Sequence, residues 1–343
     1  MQPLTIKEIL RGCEVGRIQT VGVMQVIPLI LDEDLQDDRF ENPDVVRVGT
    51  RNYGEMVFSN PSGKPVLLPT HVGYVVKQAA QDHAMATAGI VPPKGREVWD
   101  NAMCIQATQG GYIREDQHKM LILPLALRRP ALEKRKDRRY NKLWQSIGSF
   151  SAQSGMSSTQ NLVQYMQQFA EELDQFIAEF EIVDNQVGAI ILISGNVVGV
   201  ERAPSAAYWK SVWEPLVRVC YGSAAIMASR QKQDADKVLK TRTPLQVDDL
   251  TNMDALCDAL ESADQQQDEL VRKQVRDLLD TPFHKETEQG RSTVARLTTI
   301  RNDQFFGQIA SDTNTDSILY ASMVMSEGWD PRKGWKLTRA FQI

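Results

Sequence analysis

Six polar residues lie close together in the sequence and have side chains that can bind an anion or move a proton. They are His71, Lys77, Gln78, Gln81, Asp82 and His83. An ammonium group can bind a pyrophosphate, and an imidazole near a carboxylate can act as a general acid or base. His71, His83 and Asp82 are therefore the candidate catalytic residues, although they do not make a complete catalytic set. The alternative is a strand and a loop whose polar side chains face water.

The chain contains no recognisable motif for metal binding, cofactor binding or covalent catalysis. The four histidines show no HxH, HxxxH or HExxH spacing and the cysteines no CxxC pair, so no metal site is predicted. No GxGxxG or GxxxxGK(S/T) loop occurs, so no cofactor is predicted. The small polar stretch 148–161 is typical of a flexible loop and lacks a GxSxG nucleophile elbow. The sequence favours a protein that is not an enzyme, without excluding catalysis.

A glycine-bearing apolar stretch, NQVGAIILISGNVVGVERAPSAAYW at residues 185–209, invites comparison with a nucleotide-binding loop. Such a loop needs its glycines in a tight turn between a strand and a helix, where phosphates meet the helix N-terminus. Here Gly188, Gly195 and Gly199 are spread along the apolar run. The pattern instead predicts a β-hairpin, with Gly195 and Asn196 as its two-residue turn and with both faces covered.

Two segments of opposite charge are candidates for contacts with partners. Residues 127–144 carry eight Lys or Arg against two acids, whereas residues 32–44 carry seven acids against one arginine. The basic segment can neutralise phosphates, with Tyr140 or Trp144 stacking on a base. It can equally be a solvated loop, or pair with the acidic segment of the same or another subunit. Nine residues are predicted to mediate interaction: Arg128, Arg129, Lys134, Arg135, Lys136, Arg138, Arg139, Trp329 and Trp335.

The overall composition is that of a globular protein without a general attraction for nucleic acid. Of the 343 residues, 42% are apolar and 24% charged, and the formal net charge is −5. The chain contains no run of about 18 apolar residues, the length needed to span a membrane. Its N-terminus lacks a signal-peptide pattern. Scattered cysteines favour reduced thiols and a cytoplasmic location. The expected partners are further copies of the chain or other proteins, with a nucleotide-like small molecule as an alternative; nucleic acid is not expected.

The hydrophobic periodicity changes near residue 150 from two residues to three or four. Short β-branched segments fill the first part, including a predicted hairpin at 55–69. Residues 159–180 predict an amphipathic helix capped by Ser158 or Thr159. A helix capped by Ser205, with Pro215 inside its pattern, follows the glycine-bearing hairpin. A third helical region covers 252–280, and STVARLTTIRN, QFFGQIAS and SILYASMVM are predicted strands.

These elements predict an α+β protein rather than alternating βαβ units. Residues 1–150 form a β-rich antiparallel part. Residues 151–343 form an α+β part with a central helix–hairpin–helix unit, C-terminal helices and closing strands. The two parts can equally make one integrated domain.

The glycine-bearing hairpin and two upstream segments resemble a known family, the ARG-and-rhodanese-phosphatase-superfamily-associated protein domain. The family pattern begins with a helix that ends in Phe, matched at Phe180, and a Gln-Val-Gly strand, matched at Gln186, Val187 and Gly188. It continues with a Gly-x-Val-Val-Gly return, matched at Gly195, Val197, Val198 and Gly199, and a Trp-bearing helix, matched at Trp209 or Trp213. Two further segments are matched at Pro65 to Leu68, Lys77 and Gln78, and at Cys104, Gln109 and Gly110. The resemblance extends from about Gly16 to about Met325.

The resemblance implies a link to ADP-ribose or NAD rather than a mechanism, because the family's name records an association with ADP-ribosylglycohydrolases. It makes Lys77, Gln78 and Gln109 the candidate ligand-binding residues. The chain departs from the family where Pro-Thr-His-Val at 69–72 replaces an acidic Gly-Glu-Glu turn, and where two alanines at 79–80 replace Asn-Arg. We therefore expect a non-catalytic binding or self-assembly module, with binding or hydrolysis of an ADP-ribose-derived or NAD-derived ligand as the alternative.

Overall fold

The computed structural model describes residues 4–76, 82–107, 118–230 and 253–326 of the chain. Their fold is α+β and rich in strands, as the periodicity predicts, and the strands of each sheet pair antiparallel. Within these ranges, no helix is both long enough and apolar enough to cross a bilayer.

The strands are short in the first half of the chain and longer in the second. In chain order they are β1 (Leu4–Thr5), β2 (Glu14–Val15), β3 (Gln19–Val21), β4 (Met24–Ile30), β5 (Arg47–Gly49), β6 (Met56–Ser59), β7 (Val66–Leu68), β8 (Val72–Val76), β9 (His83–Ala84), β10 (Gly89–Val91), β11 (Arg96–Trp99), β12 (Met103–Cys104), β13 (His118–Ile122), β14 (Gln186–Ile193), β15 (Asn196–Arg202), β16 (Pro282–Arg291), β17 (Ala295–Arg301), β18 (Phe305–Asp312) and β19 (Ile318–Met325).

Most helices lie in the middle of the chain, between β13 and β16. The α-helices are α1 (Ile6–Ile9), α2 (Leu125–Glu133), α3 (Trp144–Gln153), α4 (Leu162–Gln168), α5 (Ala170–Glu179), α6 (Ala206–Glu214), α7 (Gly222–Ser229) and α8 (Met253–Leu279). Short 3-10 turns cover Glu33–Leu35 and Pro43–Val45, and a π-helix at Pro215–Tyr221 joins α6 to α7.

A ten-stranded sheet organises the molecule and takes strands from both sides of residue 150. Its order is β1-β16-β17-β18-β19-β15-β14-β4-β2, with β3 also paired to β4. β4 belongs to the N-terminal part, yet it pairs along its length with β14, from Met24 opposite Ile193 to Ile30 opposite Gln186. The sheet therefore joins the β-rich part to the hairpin and the closing strands.

Three smaller sheets hold β5 to β13, in the orders β11-β6-β5, β10-β7 and β12-β9-β8-β13. The hairpin predicted at 55–69 is wrong, because β6 pairs with β5 and β11 while β7 pairs with β10. The intervening residues fold around Asn60, whose side-chain amide donates to the carbonyls of Lys64 and Pro92 at 2.8 and 3.0 Å. These local hydrogen bonds direct the two strands to different partners.

The glycine-bearing hairpin is confirmed, with its turn one residue earlier than predicted. β14 and β15 pair, and Ser194 and Gly195 occupy the turn with φ angles of +49° and +75°. Two successive positive φ angles are the pattern of a type I′ turn, whose twist matches that of the flanking strands. Every residue of β14 is buried, as the continuous apolar run predicts.

The helix predicted over 159–180 is divided into α4 and α5 at Phe169. Its N-cap is Asn161, whose side chain accepts a hydrogen bond from the Gln164 amide at 3.2 Å. Ser158 is not the cap because its hydroxyl donates to the Gly148 carbonyl at 3.3 Å. The small polar stretch 148–161 is accordingly a loop only in its second part, since its first residues belong to α3.

The helix after the hairpin begins as predicted and continues differently. Ser205 caps α6 by accepting a hydrogen bond from the Tyr208 amide at 3.2 Å. Pro215 does not end the helical path, and the chain passes through the π-helix into α7. The regular hydrogen-bond pattern is interrupted at this point, because proline has no N–H to donate to the preceding turn.

Both faces of the ten-stranded sheet carry a hydrophobic layer, and β14 contributes to each. Ile191 and Ile193 belong to the cluster that packs against the helices from α2 to α7. Ile190 and Leu192 belong to the opposite cluster, which includes Val271 of α8 and residues of α1. Alternate side chains of a strand point to opposite faces, so one strand supports both layers.

Candidate functional site

A buried ion pair between Arg128 of α2 and Glu201 of β15 lies at the centre of a polar cluster in the core. Nη1 of Arg128 donates to Oε1 of Glu201 at 2.8 Å. Arg128 is 1% exposed and Glu201 3% exposed. Moving either charge out of water costs several kcal/mol, and the loss is offset only by good geometry and further hydrogen bonds.

Three more side chains complete this Arg128 cluster. Nε of Arg128 donates to Nδ1 of His71 at 3.1 Å, and Nη2 donates to the Ser322 hydroxyl. The Tyr221 hydroxyl donates to Oε1 of Glu201 at 2.6 Å. Burial alone would lower the pKa of Arg128, but the charge of Glu201 raises that pKa above its ordinary value. Arg128 therefore keeps its charge inside the core.

Two backbone features allow these side chains to meet. His71 adopts a left-handed conformation with φ of +63° in the turn before β8, and its carbonyl accepts from the Leu123 amide at 3.1 Å. Gly199 lies beside Tyr221, and a Cβ atom added to Gly199 would lie 2.0 Å from the Tyr221 hydroxyl oxygen. Only glycine at position 199 leaves room for the Tyr221 hydroxyl to reach Glu201.

The Arg128 cluster holds its groups in forms that are poorly suited to catalysis. Burial and the charge of Arg128 keep the pKa of His71 well below its ordinary value, so the imidazole is neutral and accepts at Nδ1. Burial raises the pKa of Cys220 to about 12, although its sulfur lies 3.7 Å from Nη1 of Arg128. A protonated thiol is a weak nucleophile. The adjoining cavity, lined partly by Glu201 and Trp209, measures about 10 Å³ and has room for one water molecule.

The other two candidate catalytic residues lie at the start of β9, an inner strand of the sheet β12-β9-β8-β13. His83 is paired in register with Cys104, so their side chains share a face. Nε2 of His83 accepts from the Gly54 amide at 3.3 Å, and the Asp82 carbonyl accepts from the Ile105 amide at 2.9 Å. Asp82 and His83 are buried, which contradicts the alternative of polar side chains facing water.

Cys104, at the end of the neighbouring strand β12, is held as a thiol. Burial raises its pKa, and its Sγ–H donates to the Gln106 carbonyl at 3.2 Å. The register pair of Cys104 and His83 thus lacks the thiolate that nucleophilic catalysis requires. Among the residues that the structure describes, no group of three or more His, Cys, Asp and Glu side chains is arranged to hold a metal ion.

The candidate catalytic residues are divided between these two places. His83 is opposite Tyr74, which follows His71 by three residues along β8. Three extended residues span about 10 Å, so His71 is not adjacent to His83. Three predicted ligand-binding residues, Lys77, Gln78 and Gln109, lie outside the described residues. The end of β8 and the starts of β9 and β13 lie at the same end of this sheet, because β8 pairs antiparallel with both.

Three aromatic side chains form a row at the protein surface beside His83. The ring centroids of Tyr53 and Tyr140 are 5.4 Å apart with an interplanar angle of 31°, and Tyr140 meets Trp144 edge-on at 5.6 Å. Tyr53 is 45% exposed. Gly54, which bonds His83, also lies against Tyr140, since an added Cβ would be 3.1 Å from the Tyr140 Cβ. The aromatic row is therefore linked to His83 through Gly54.

Two arginines of the basic segment add positive charge to this row. The Arg138 side chain is 80% exposed and pairs with Asp100 at 3.1 Å; the Arg139 side chain is 77% exposed and pairs with Asp137 at 2.6 Å. Water screens such exposed ion pairs, so they contribute little and can exchange partners. We call this group the Tyr140 surface; it consists of Tyr53, Arg138, Arg139, Tyr140 and Trp144.

Most of the remaining basic segment bonds to the protein itself. Lys134 Nζ donates to the Lys142 carbonyl at 2.7 Å, and Lys142 Nζ donates to the Asn101 carbonyl at 2.7 Å. Burial lowers the pKa of Lys142 to about 8. Arg135 pairs with Glu286 at 3.3 Å. These cations therefore stabilise the connection between α2 and α3.

The structure corrects the placement of Arg128, which the sequence groups with exposed interaction residues. Its guanidinium is buried in the core and lies outside any surface for partners. Arg129, one residue later, pairs with Glu133 at 2.8 Å on the exposed side of α2, and Lys136 is exposed. The predicted interaction residues Trp329 and Trp335 lie outside the described residues.

Sequence reasoning missed the partners of Arg128. Glu201 is 73 and Ser322 is 194 positions away along the chain, so no local spacing connects them. One signal is present in the sequence, because Glu201 lies near the end of an apolar strand that is covered on both faces. A charge in such a place needs a buried partner. Tyr53 was also missed, since it is brought to Tyr140 only by the fold.

The fold and its buried charges define an α+β class in which one ten-stranded antiparallel sheet supports an internal arginine–glutamate pair. The chain belongs to the family described as the ARG and Rhodanese-Phosphatase-superfamily-associated Protein domain, whose model matches residues 12–307. The family resemblance carried by the glycine-bearing hairpin is thereby confirmed. Neither the curated proteins nor the solved structures yield a match to the chain.

Proposed function

We propose that this chain is a non-catalytic binding and self-assembly module. The contrast between its buried and its exposed groups supports this proposal most directly. His71 and His83 are buried and bonded within the protein, and the thiol of Cys104 is kept protonated. The exposed side chains of Tyr53 and Arg138 belong to the residue types that dominate binding energy in protein interfaces.

The aromatic row of the Tyr140 surface is suited to binding because it is already ordered. Tyr53 packs on Tyr140, which in turn packs on Trp144. A partner that contacts rings held in this way loses less side-chain entropy than one that must order them. The peptide of Tyr140 is fixed as well, because its carbonyl accepts from the Cys104 amide at 2.7 Å.

We propose a cytoplasmic location, which the state of the cysteines supports. Cys13, Cys104, Cys220 and Cys257 are all free thiols, and Cys104 and Cys220 are buried. Free thiols persist in reducing compartments, whereas oxidising compartments favour disulfides.

Sedimentation velocity of the full chain over a range of concentrations tests the self-assembly. We expect the mean mass to rise with concentration. Tyr53→Ala is expected to weaken association by about tenfold, which corresponds to about 1.4 kcal/mol for a central aromatic residue. Val98→Ala is the matched control, because Val98 of β11 is as exposed as Tyr53 but lies outside the Tyr140 surface. A monomer at every concentration would contradict self-assembly.

A second candidate function is binding or hydrolysis of an ADP-ribose-derived or NAD-derived ligand. It is favoured by the tilted ring pair of Tyr53 and Tyr140 beside Arg138 and Arg139, since a base can stack on an aromatic face while a guanidinium meets phosphate. Thermal denaturation with ADP-ribose and with NAD tests it. A saturable rise in Tm that disappears in Lys77→Ala and in Tyr53→Ala would favour this function, and an unchanged Tm would favour the non-catalytic module.

A further inference from the structure

Self-assembly requires two surfaces that fit each other, and the chain carries a complementary pair. We infer that the acidic segment, residues 32–44, of one copy binds the Tyr140 surface of a second copy. This inference rests on the proposed self-assembly and adds to it the identity of the two surfaces in contact.

The acidic segment presents an exposed leucine among carboxylates. Its 3-10 turn ends at Leu35, which is 61% exposed. Asp32, Glu33 and Asp34 are exposed beside it, and the Asp38 side chain is 92% exposed. A large apolar side chain surrounded by charge is a typical centre for a small interface, where the apolar contact is enclosed by a polar rim.

The protein fold holds this leucine in place. The Gln36 side chain donates to the Leu31 carbonyl at 2.9 Å and accepts from the Ala206 amide at 2.9 Å. Phe40 is buried in the main core cluster. Because both flanks of Leu35 are fixed to the body of the protein, little conformational entropy is lost when it meets a partner.

The two surfaces are complementary in charge as well as in apolar content. The acidic segment has seven acids and one arginine, which give −6, while the basic segment at 127–144 has eight cations and two acids, which give +6. Part of the basic charge is buried with Arg128, but Lys136, Arg138 and Arg139 are exposed. Such opposite potentials steer association and set the register of the contact. The exposed ring of Tyr53 offers Leu35 an apolar surface.

Within one copy, the charged side chains of each surface pair with residues outside the other surface. The contact between the acidic segment and the Tyr140 surface is therefore assigned to two different copies. In the described part of the chain, the exposed arginines of the Tyr140 surface pair with Asp100 and Asp137, close to them in space. The acidic segment is held elsewhere, where Arg39 pairs with Asp312 at the end of β18 and Asp38 lies 3.6 Å from Lys64. Two different patches on one protein that bind each other give a ring, an open filament or a pair with the contact made twice.

Charge reversal on each surface tests the inference by sedimentation velocity. One variant is Glu33→Lys with Asp34→Lys, and the other is Arg138→Glu with Arg139→Glu. Each variant alone is expected to associate at least about tenfold more weakly than the wild type. An equimolar mixture of the two is expected to recover association, because an intact acidic segment then meets an intact Tyr140 surface. High ionic strength is expected to weaken the wild-type contact.

Two matched controls carry the same charge changes on the exposed side of α8 and at the residue that follows it. They are Lys273→Glu with Arg276→Glu, and Asp277→Lys with Asp280→Lys, all at exposed positions. Far-UV circular dichroism and Tm verify that every variant folds. If the wild type associates and both reversed variants still do, the assembly proposal stands and this contact is wrong. A mixture that stays monomeric also overturns the contact, and a wild type that never associates overturns both.

Discussion

Arg128 is a cation inside a hydrophobic core, and it depends on one carboxylate. Glu201 neutralises it, while His71 and Ser322 accept from the remaining nitrogen atoms. A buried ion pair of this kind adds little net stability compared with apolar residues of the same size. Removing only one member of the pair destabilises the protein, because the remaining charge then has no counter-ion in a medium that solvates it poorly.

Glu201→Gln is expected to lower the free energy of unfolding by about 3–5 kcal/mol, because it leaves the charge of Arg128 buried without a carboxylate. Urea denaturation followed by circular dichroism measures the loss. Glu214→Gln is the control, since Glu214 pairs with Lys119 at 2.8 Å on the surface, where the expected loss is under about 1 kcal/mol. Equal losses in the two variants would contradict the assigned role of Glu201.

His71 is expected to make stability depend on pH. Burial and the charge of Arg128 lower its pKa in the folded state, so below an unfolded pKa of about 6.5 the unfolded chain binds a proton that the folded chain does not. Stability is therefore unaffected by His71 above about pH 7 and falls as pH drops below about 6.5, by up to about 1.4 kcal/mol per pH unit.

His71→Asn isolates this contribution from the rest of the titration. Asparagine tolerates the left-handed backbone of position 71, and its side-chain oxygen can accept from Arg128. Between about pH 7 and about pH 5.5, the wild type is expected to lose about 1 kcal/mol more than this variant in urea denaturation. Identical pH profiles for the two proteins would show that His71 is not held neutral.

At the scale of elements, the hairpin of β14 and β15 connects the two hydrophobic layers. Its central position requires a tight turn, and Ser194 and Gly195 provide it with two left-handed residues. A one-residue shift of such a hairpin would exchange the side chains of its two faces. The turn therefore sets which side chains enter each layer.

Gly195→Ala is expected to lower the free energy of unfolding by about 1–2 kcal/mol, because an L-residue with a Cβ is strained at a φ of +75°. Gly63→Ala is the control, since a Cβ at position 63 would meet no atom within 4 Å and the backbone there is not left-handed. The control is expected to show no loss. Chemical denaturation of both variants checks the difference.

At the scale of the whole molecule, the ten-stranded sheet combines the two parts that the change in periodicity separates. β4 from the first part lies between β14 and β2, with β14 coming from the second part. The side chains of β4 from Met24 to Leu29 are buried. Neither part can cover these strands by itself, so folding of each is expected to depend on the other.

Fragments 1–150 and 151–343, expressed separately, are therefore not expected to unfold cooperatively. Each would expose one edge and both faces of a strand that is buried in the intact sheet. Urea denaturation and the dispersion of amide signals in NMR spectra measure the outcome. The full chain is the control, and a sharp unfolding transition of fragment 1–150 alone would show that the first part is an independent domain.

The sequence was informative wherever local chemistry decides the outcome. Ser205 was identified as a helix cap because its hydroxyl bonds an amide only three residues away. The candidate site was predicted less completely. His71, Asp82 and His83 were recognised by type, but their burial and their division between two places depend on strands that pair across the fold. The predicted hairpin at 55–69 failed for the same reason, since several strands could have been the partner of β6.

The amino-acid sequence by itself determined the α+β class, the glycine-bearing hairpin and the family, because period, turn chemistry and local motif are properties of neighbouring residues. Only the tertiary structure decided that Arg128 is internal while Arg138 is exposed, although both belong to one basic segment. The cause is long-range: Glu201 and Ser322 reach Arg128 through strands far away in the chain. A charge enters a core only where such distant partners meet it.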